Sequence, residues 1–363
     1  MKMRIIDIIE LVDMRNKNLL SDKPMGINID KYFMPSVANT IGVDLKTYKL
    51  VPHNCFACNL MHVGRDERVP MAINKKEDPV LVSPAYLVFR VKESVDVLPD
   101  FLMLWFRRPT FDRNAWFFTA GDVRGGLDKK DFFNMEVHVP DIATQRRIVA
   151  EYKAVEKRIA TNERFIAKLE ETAQAIYKKM FVDDINPEHL PDGWRIGSID
   201  EIAKLKAGGD KPDVFSEIET ETCNVPIYAN SSENEGIFGY TDKAAVVGRS
   251  VTITARGTIG YCFLRNVPFF PIVRLVVITP NNPRFADYLY FYYTNKHLEG
   301  DGSVQSQLTV PQLIRQQIII PDVSQMFEFY KLIEPIDSHL YSIKKEVSVL
   351  NTMKHILPAI MSK

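Results

Sequence analysis

The feature that most constrains this chain is a long apolar seam that occurs twice. The first run is Ile148, Tyr152, Val155, Ile159, Asn162, Ile166, Leu169, Ala173, Ile176, Met180, in steps that alternate four and three residues. The second is Phe329, Ile333, Ile336, Leu340, Ile343, Val347, Leu350, Lys354, Leu357, Met361, with the same steps and one charged member. Such spacing puts every named residue on one narrow helical stripe, the pattern of a coiled-coil seam. Each run asks for a helix of roughly 35–40 residues, about 55 Å long at 1.5 Å per residue. Neither helix can bury its own stripe, so the economical solution is that they pair with each other. Asn162 would fix their register at some cost in stability. Pro335 is expected to kink the second helix or to end a short segment before it.

The offset between the seams also carries Gly121, Val123, Leu127, Pro140 and Asp141 onto Gly302, Val304, Leu308, Pro321 and Asp322. The chain therefore reads as one unit made twice. In the second copy "DGWRIGSIDEIAKLKAGG" predicts a turn, a short strand or helix and a Gly-Gly stop. "AVVGRSVTITARGTIGYCFL" predicts strands around a tight Arg-Gly turn, "PIVRLVVITP" another strand, and "ADYLYFYYTNKHLEG" an aromatic helix. The first copy keeps the order: strands over "CFACNLMHVGRDERVPMAIN" and "AYLVFRVK", then the helix "PDFLMLWFRR". After that helix, each copy has a Gly-rich loop, a short strand and its proline.

Composition narrows the class. With 46% apolar and 25% charged residues the chain is globular material, and 363 residues suit two or three domains. No apolar run approaches the roughly 18 residues of a membrane span, and the acids within "MKMRIIDIIELVDMRN" argue against a signal peptide. Four cysteines do not make a disulfide framework at this length, which predicts a reducing, cytoplasmic setting. A formal charge of zero argues against a surface coated in basic side chains but leaves room for local basic clefts.

The duplicated order of these pieces resembles the DNA specificity subunit of type I restriction-modification enzymes, over essentially the whole chain. The residues that carry the resemblance are the G-x-V-x-x-x-L loop, the Pro-Asp pair with Gln145 or Gln325 leading into each long helix, and "DGWRIGSIDEIAKLKAGGDKP" opening the second copy. The resemblance implies an α/β fold of two tandem target recognition domains, 1–142 and 183–323, with two long antiparallel helices, 143–182 and 324–363, forming a coiled coil. It implies a non-catalytic subunit that reads a bipartite site in double-stranded DNA, each domain taking one half, with the helices as ruler and as part of the dock for methyltransferase subunits. S-adenosylmethionine, ATP and magnesium would belong to the methyltransferase and restriction (translocase) subunits, leaving no cofactor in this chain. The first globule's "HNCFACNLMHVGRDERVP" replaces the second's shorter "VTITARGTIGYC", which points to two different half-sites and an asymmetric target. The alternatives are a recognition subunit of a type II enzyme with a fused nuclease-methyltransferase partner, and a stand-alone metal-dependent nuclease.

Base reading needs polar side chains on loops that can enter a groove. "GDVRGGLDKKDF" offers Arg124, Lys129 and Lys130, and its partner "GSVQSQLT" offers Gln305 and Gln307; arginine suits guanine and glutamine suits adenine. Arg65, Arg256 and Thr258 lie at strand-to-strand turns, Lys206 and Lys211 flank Gly208-Gly209, and Tyr228 and Asn230 sit in "PIYANSS". All are candidate DNA contacts.

Other chemistry finds less support. His53, Cys55, Cys58 and His62 suggest a zinc site, but strand alternation would put the first two on one face and the last two on the other. Asp100 followed by Asp128-Lys129-Lys130 only loosely imitates a metal nuclease, and the second copy has Thr309-Val310-Pro311 there. There is no G-x-x-x-x-G-K-[ST] loop and no Asn/Asp-Pro-Pro-aromatic methyltransferase motif. The run "YLYFYYTN" has the spacing of a packed helix face rather than a base-stacking platform.

Overall fold

The computed structural model describes residues 1–37, 42–119, 125–296, 298 and 307–360. The chain divides into two compact units, Met1–Glu163 with Lys345–Lys363, and Arg164–Lys344. Each unit contains one α/β globule and a stretch of both long helices.

The first globule has strands β1 (Lys2–Arg4), β2 (Ile9–Leu11), β3 (Pro24–Ile27), β4 (Phe33–Pro35), β5 (Lys49–Val51), β6 (Phe56–Cys58), β7 (Met71–Ile73), β8 (Val80–Val82), β9 (Leu87–Val91) and β10 (Glu136–His138). They form an antiparallel sheet β2-β9-β6-β7, a sheet β4-β3-β8-β5 in which β3 and β8 run parallel, and the pair β1-β10. Alternation along β6 and β9 explains the layering. Phe56, Cys58 and Phe89 point to a core shared with the helix Pro99–Phe106, where the Phe56 and Phe89 rings stack 5.0 Å apart. The intervening Ala57 and Val88 face the second sheet, in a core with Val51 and Val82. Both faces are buried, so these strands read as continuous apolar runs.

The second globule repeats this plan with β11 (Arg195–Ser198), β12 (Ala203–Ala207), β13 (Val225–Tyr228), β14 (Ile237–Thr241), β15 (Ser250–Ile253), β16 (Cys262–Arg265), β17 (Phe270–Pro271), β18 (Val276–Pro280) and β19 (Gln317–Ile320). Its sheets are β12-β18-β15-β16, β14-β13-β17 with β13 parallel to β17, and β11-β19. The order β2-β9-β6-β7 therefore reappears as β12-β18-β15-β16, and the one parallel pair reappears in place. The helix Phe285–Thr294 fills the role of Pro99–Phe106, burying Tyr288, Leu289, Phe291 and Tyr293 as the packed-face reading expects.

Three local expectations are corrected. The first globule has an additional helix, Pro109–Phe117, ahead of its Gly-rich loop. "PIVRLVVITP" is two strands, because Val273 and Arg274 both take left-handed backbone, with φ of 52° and 61°, and break the run. The strand through "CFAC" stops at Cys58, so His62 lies beyond it rather than on its face.

The long helices span Ile142–Phe181 and Val323–Ile360. The second neither ends nor restarts at Pro335, whose ring is exposed; the N–H that proline lacks is lost on the solvent side, where water can satisfy the orphaned carbonyl. All fourteen predicted seam residues, Ile148, Tyr152, Val155, Ile159, Ile166, Leu169, Ile176, Ile333, Ile336, Leu340, Ile343, Val347, Leu350 and Leu357, are buried or partly buried. Inside the first unit, Glu156 pairs with Lys354 at 3.1 Å and Arg158 forks onto Glu346 at 2.7 and 3.1 Å. The first helix ascends as the second descends, so the pairing is antiparallel. Inside the second unit, Glu170 meets Lys344, while Tyr177 and Phe181 close on Phe329 in the same sense. Lys354, the charged seam member, is accounted for by Glu156. Asn162 is buried in the seam, with the Glu346 carboxylate beside its side-chain amide. No helix among the described residues is long and apolar enough to cross a membrane.

Candidate nucleic-acid interface

In both globules a hairpin of the main sheet ends in a tip that is locked to the Gly-rich loop by the same backbone bond. In the first, the β6–β7 hairpin is closed by Asn59 N–H to Pro70 O at 2.9 Å, and Leu127 N–H donates to Leu60 O at 2.8 Å. In the second, the β15–β16 hairpin is closed by Thr254 N–H to Tyr261 O at 3.0 Å, and Leu308 N–H donates to Ala255 O at 3.0 Å. Leu127 and Leu308 are the leucines of the repeated G-x-V-x-x-x-L loop, both buried, so an apolar anchor carries each loop to its tip.

The first tip is long and contains a one-turn helix, Val63–Asp66. Gly64 N–H donates to Gly125 O at 2.7 Å, and a Cβ on Gly64 would lie 2.8 Å from Gly125 Cα, so only glycine lets the loop approach. This brings Arg65 to the Gly-rich loop; its exposed guanidinium is held by Asp66 at 2.7 Å. Lys129 and Lys130 open the helix Lys129–Asn134, capped by Asp128, and both are exposed without an ion pair among the described residues. Arg124 lies outside the described residues.

A buried pair braces this tip from below. Lys31 Nζ donates to Asp112 Oδ1 at 2.7 Å and to Phe106 O at 2.6 Å, and Val69 N–H, at the foot of the tip, donates to the same carboxylate oxygen at 3.0 Å. Burial pushes the Lys31 ammonium below its usual range, and Asp112 opposes that shift. Lys31 and Glu67 are both non-glycine residues in left-handed backbone, with φ of 70° and 54°, and the pair holds the loops in that conformation.

The second tip is shorter and braced by an amide. Asn230 Oδ1 accepts from Ala255 N–H at 2.6 Å, while its Nδ2 donates to Val273 O. Arg256, the next residue along the tip, is exposed and donates to Gln307 Oε1 at 2.9 Å. Three sequence candidates, Asn230, Arg256 and Gln307, thus come together, with Thr258 exposed at the turn; Gln305 lies outside the described residues. Lys206 is exposed on β12, and Lys211 sits 3.2 Å over the Phe215 ring. Tyr228 is interior, roofed by the Arg265 guanidinium at 3.6 Å; burial raises its phenol, with Arg265 pulling the other way.

Sequence reasoning missed Lys31, Asp112 and Arg274. Only Arg274 had a signal, as a lone charge inside "PIVRLVVITP". The residues weighed for other chemistry are otherwise engaged: Asp100 lies between Lys75 and Lys153 at 2.5 and 2.6 Å, and Cys58 is fully buried, its thiol pushed up by desolvation. Among the described residues no group of three or more His, Cys, Asp or Glu is placed to hold a metal ion.

Residues 191–349 match the family model of the type I restriction modification DNA specificity domain. Two curated proteins of Mycoplasma pneumoniae, which carry the provisional name type I specificity subunit, are 28% identical over 154 residues and 29% identical over 173. Those stretches are 42% and 48% of this chain and 42% and 51% of the relatives, so the chain spans about half the length of the curated relatives it matches. Two solved structures are similar over nearly all of the chain. The S subunit of a type I restriction-modification system from M. genitalium gives a TM-score of 0.62 at 13% identity, covering 99% of this chain and 95% of that one. A chain from a structural study of complex assembly and conformational transition of the type I system gives 0.50 at 15%, covering 100% and 97%. At these identities the structures speak for the fold: two α/β globules with long paired helices.

Proposed function

We propose that this chain, whose residues 191–349 match the family model of the type I restriction modification DNA specificity domain, is the DNA-reading subunit of such a system. Its two tips read the two halves of a bipartite, asymmetric site in double-stranded DNA, and the subunit does no chemistry of its own. Methyltransferase and restriction subunits, with their S-adenosylmethionine, ATP and magnesium, act at the site it selects, in the cytoplasm. The domain limits are 1–142 and 183–323 for the readers and 143–182 and 324–363 for the helices. Arg65, Arg124, Lys129 and Lys130 serve the first half-site. Lys206, Lys211, Asn230, Arg256, Thr258, Gln305 and Gln307 serve the second, with Tyr228 supporting them from inside.

The observation that carries this reading is the repeated lock: one backbone bond, Leu127 to Leu60 and Leu308 to Ala255, fixes two tips of unlike length and side chains. A shared frame with divergent polar tips is what two different base sequences require, since base edges are told apart by side-chain donors and acceptors while the frame only positions them. No feature of the described residues favours a fused type II partner or a stand-alone nuclease. The test is methylome sequencing of the host with and without the gene. A split motif that is methylated only when the gene is present supports the reading; an unchanged methylome contradicts it. Inserting one heptad into both long helices should then widen the unread gap and leave the half-site bases alone.

A further inference from the structure

We propose that Arg274 reads a base, best a guanine, in the second half-site; the inference rests on the DNA-reading role proposed above. Val273 and Arg274 form a turn with both residues left-handed, φ 52° and 61°. Glycine or asparagine is the residue type that takes this backbone cheaply, and a β-branched valine takes it worst. The turn is nevertheless held on every side. Val273 N–H donates to Gly209 O at 2.8 Å, Arg274 N–H to Gly208 O at 2.9 Å, and Gly208 N–H to Leu275 O at 2.8 Å. A Cβ on Gly208 would stand 2.7 Å from the Pro271 carbonyl carbon, so the Gly-Gly segment is shaped to receive the turn.

Asn230 ties this turn to the reading tip. One end of its amide holds Val273 O and the other holds Ala255 N–H, so the residues that follow those two contacts, Arg274 and Arg256, are presented from one braced platform. Arg256 is already engaged with Gln307. Arg274 is exposed and has no ion pair or side-chain hydrogen bond among the described residues. A phosphate contact tolerates a mobile lysine or arginine on any relaxed loop. A bidentate base contact needs the guanidinium aimed closely, and a tethered, strained turn supplies that aim. Arginine is the side chain whose fork fits guanine O6 and N7.

The experiment replaces the gene in its host with Arg274→Ala, Arg274→Lys or Arg274→Gly and sequences the methylome. Loss of discrimination at one base pair of the second half-site, on the order of tenfold to a hundredfold, is expected for all three, with the first half-site unchanged. Lysine fails to rescue because it lacks the fork. Arg274→Gly eases the left-handed backbone, so its result is not confounded by folding. An unchanged motif in Arg274→Gly overturns the inference, and so does uniform loss of methylation at an unaltered motif, which marks a backbone contact. If the unaltered gene directs no methylation, the DNA-reading role itself fails, and that outcome is separate from either.

Discussion

The first and second tips hang from the same sheet order and the same leucine lock, yet one is braced by a buried ion pair and the other by a neutral amide. Lys31 and Asp112 support a long tip with a one-turn helix; Asn230 supports a short turn beside a second strained turn. The frame that must be alike in both copies is made of backbone bonds and apolar anchors, which many sequences satisfy. The braces depend on individual side chains, and they have diverged together with the tips they support. A duplicated reader can in this way change what it reads without changing how the reader is mounted.

The largest expected effect separates the braces. Asp112→Ala leaves the Lys31 ammonium buried without its counter-charge and Val69 N–H without an acceptor, and should cost about 3–5 kcal/mol. Hydrogen exchange should show this loss in the first globule alone; equal loss in both would mean the two are not independently braced. Next come the glycines of close approach. Gly64→Ala and Gly208→Ala each force backbone apart and should cost about 1–3 kcal/mol, each in its own globule. The methylated motif should relax in the first half-site for Gly64→Ala and in the second for Gly208→Ala.

The last effect is one of pH, with opposite signs in the two globules. Asp287 is buried and shares Arg249 with Asp337; burial first, then Asp337, push its carboxyl up to about 8 against the pull of Arg249. A folded value above the unfolded one, near 4, means a stabilising contribution present below that value and lost as pH rises from about 4 through 8. Burial alone would raise Asp100 as well, but Lys153 and Lys75 outweigh it and hold that carboxyl below its usual range. Its contribution is therefore present above the unfolded value and lost as pH falls through the folded one. Hydrogen exchange across pH should show the helix Phe285–Thr294 loosening toward pH 8 and Pro99–Phe106 loosening in acid. Asp287→Asn should flatten only the first trend.

The seams were legible because a heptad pattern is local and repeats over many turns, so one exposed proline or one charged member does not hide it. The succession of elements along the chain was legible through duplication: two weak readings of the same plan reinforce each other. The braces were not. Lys31 and Asp112 are 81 residues apart, and nothing near either one announces the other. Asn230 was picked out as a polar loop residue, but its use as a clamp depends on the tip and the turn being brought to both ends of its amide. "PIVRLVVITP" read as one strand because six of its ten residues are β-branched, and tertiary tethers to Gly208-Gly209 override that preference at Val273.

The central claim is that each tip reads its own half of the target, and the most direct measurement is methylome sequencing of hosts carrying Arg65→Ala or Gln307→Ala in place of the unaltered gene. Altered bases confined to one half-site for Arg65→Ala and to the other for Gln307→Ala are the predicted result. Changes in both halves from either substitution, or in neither half from both, would contradict it.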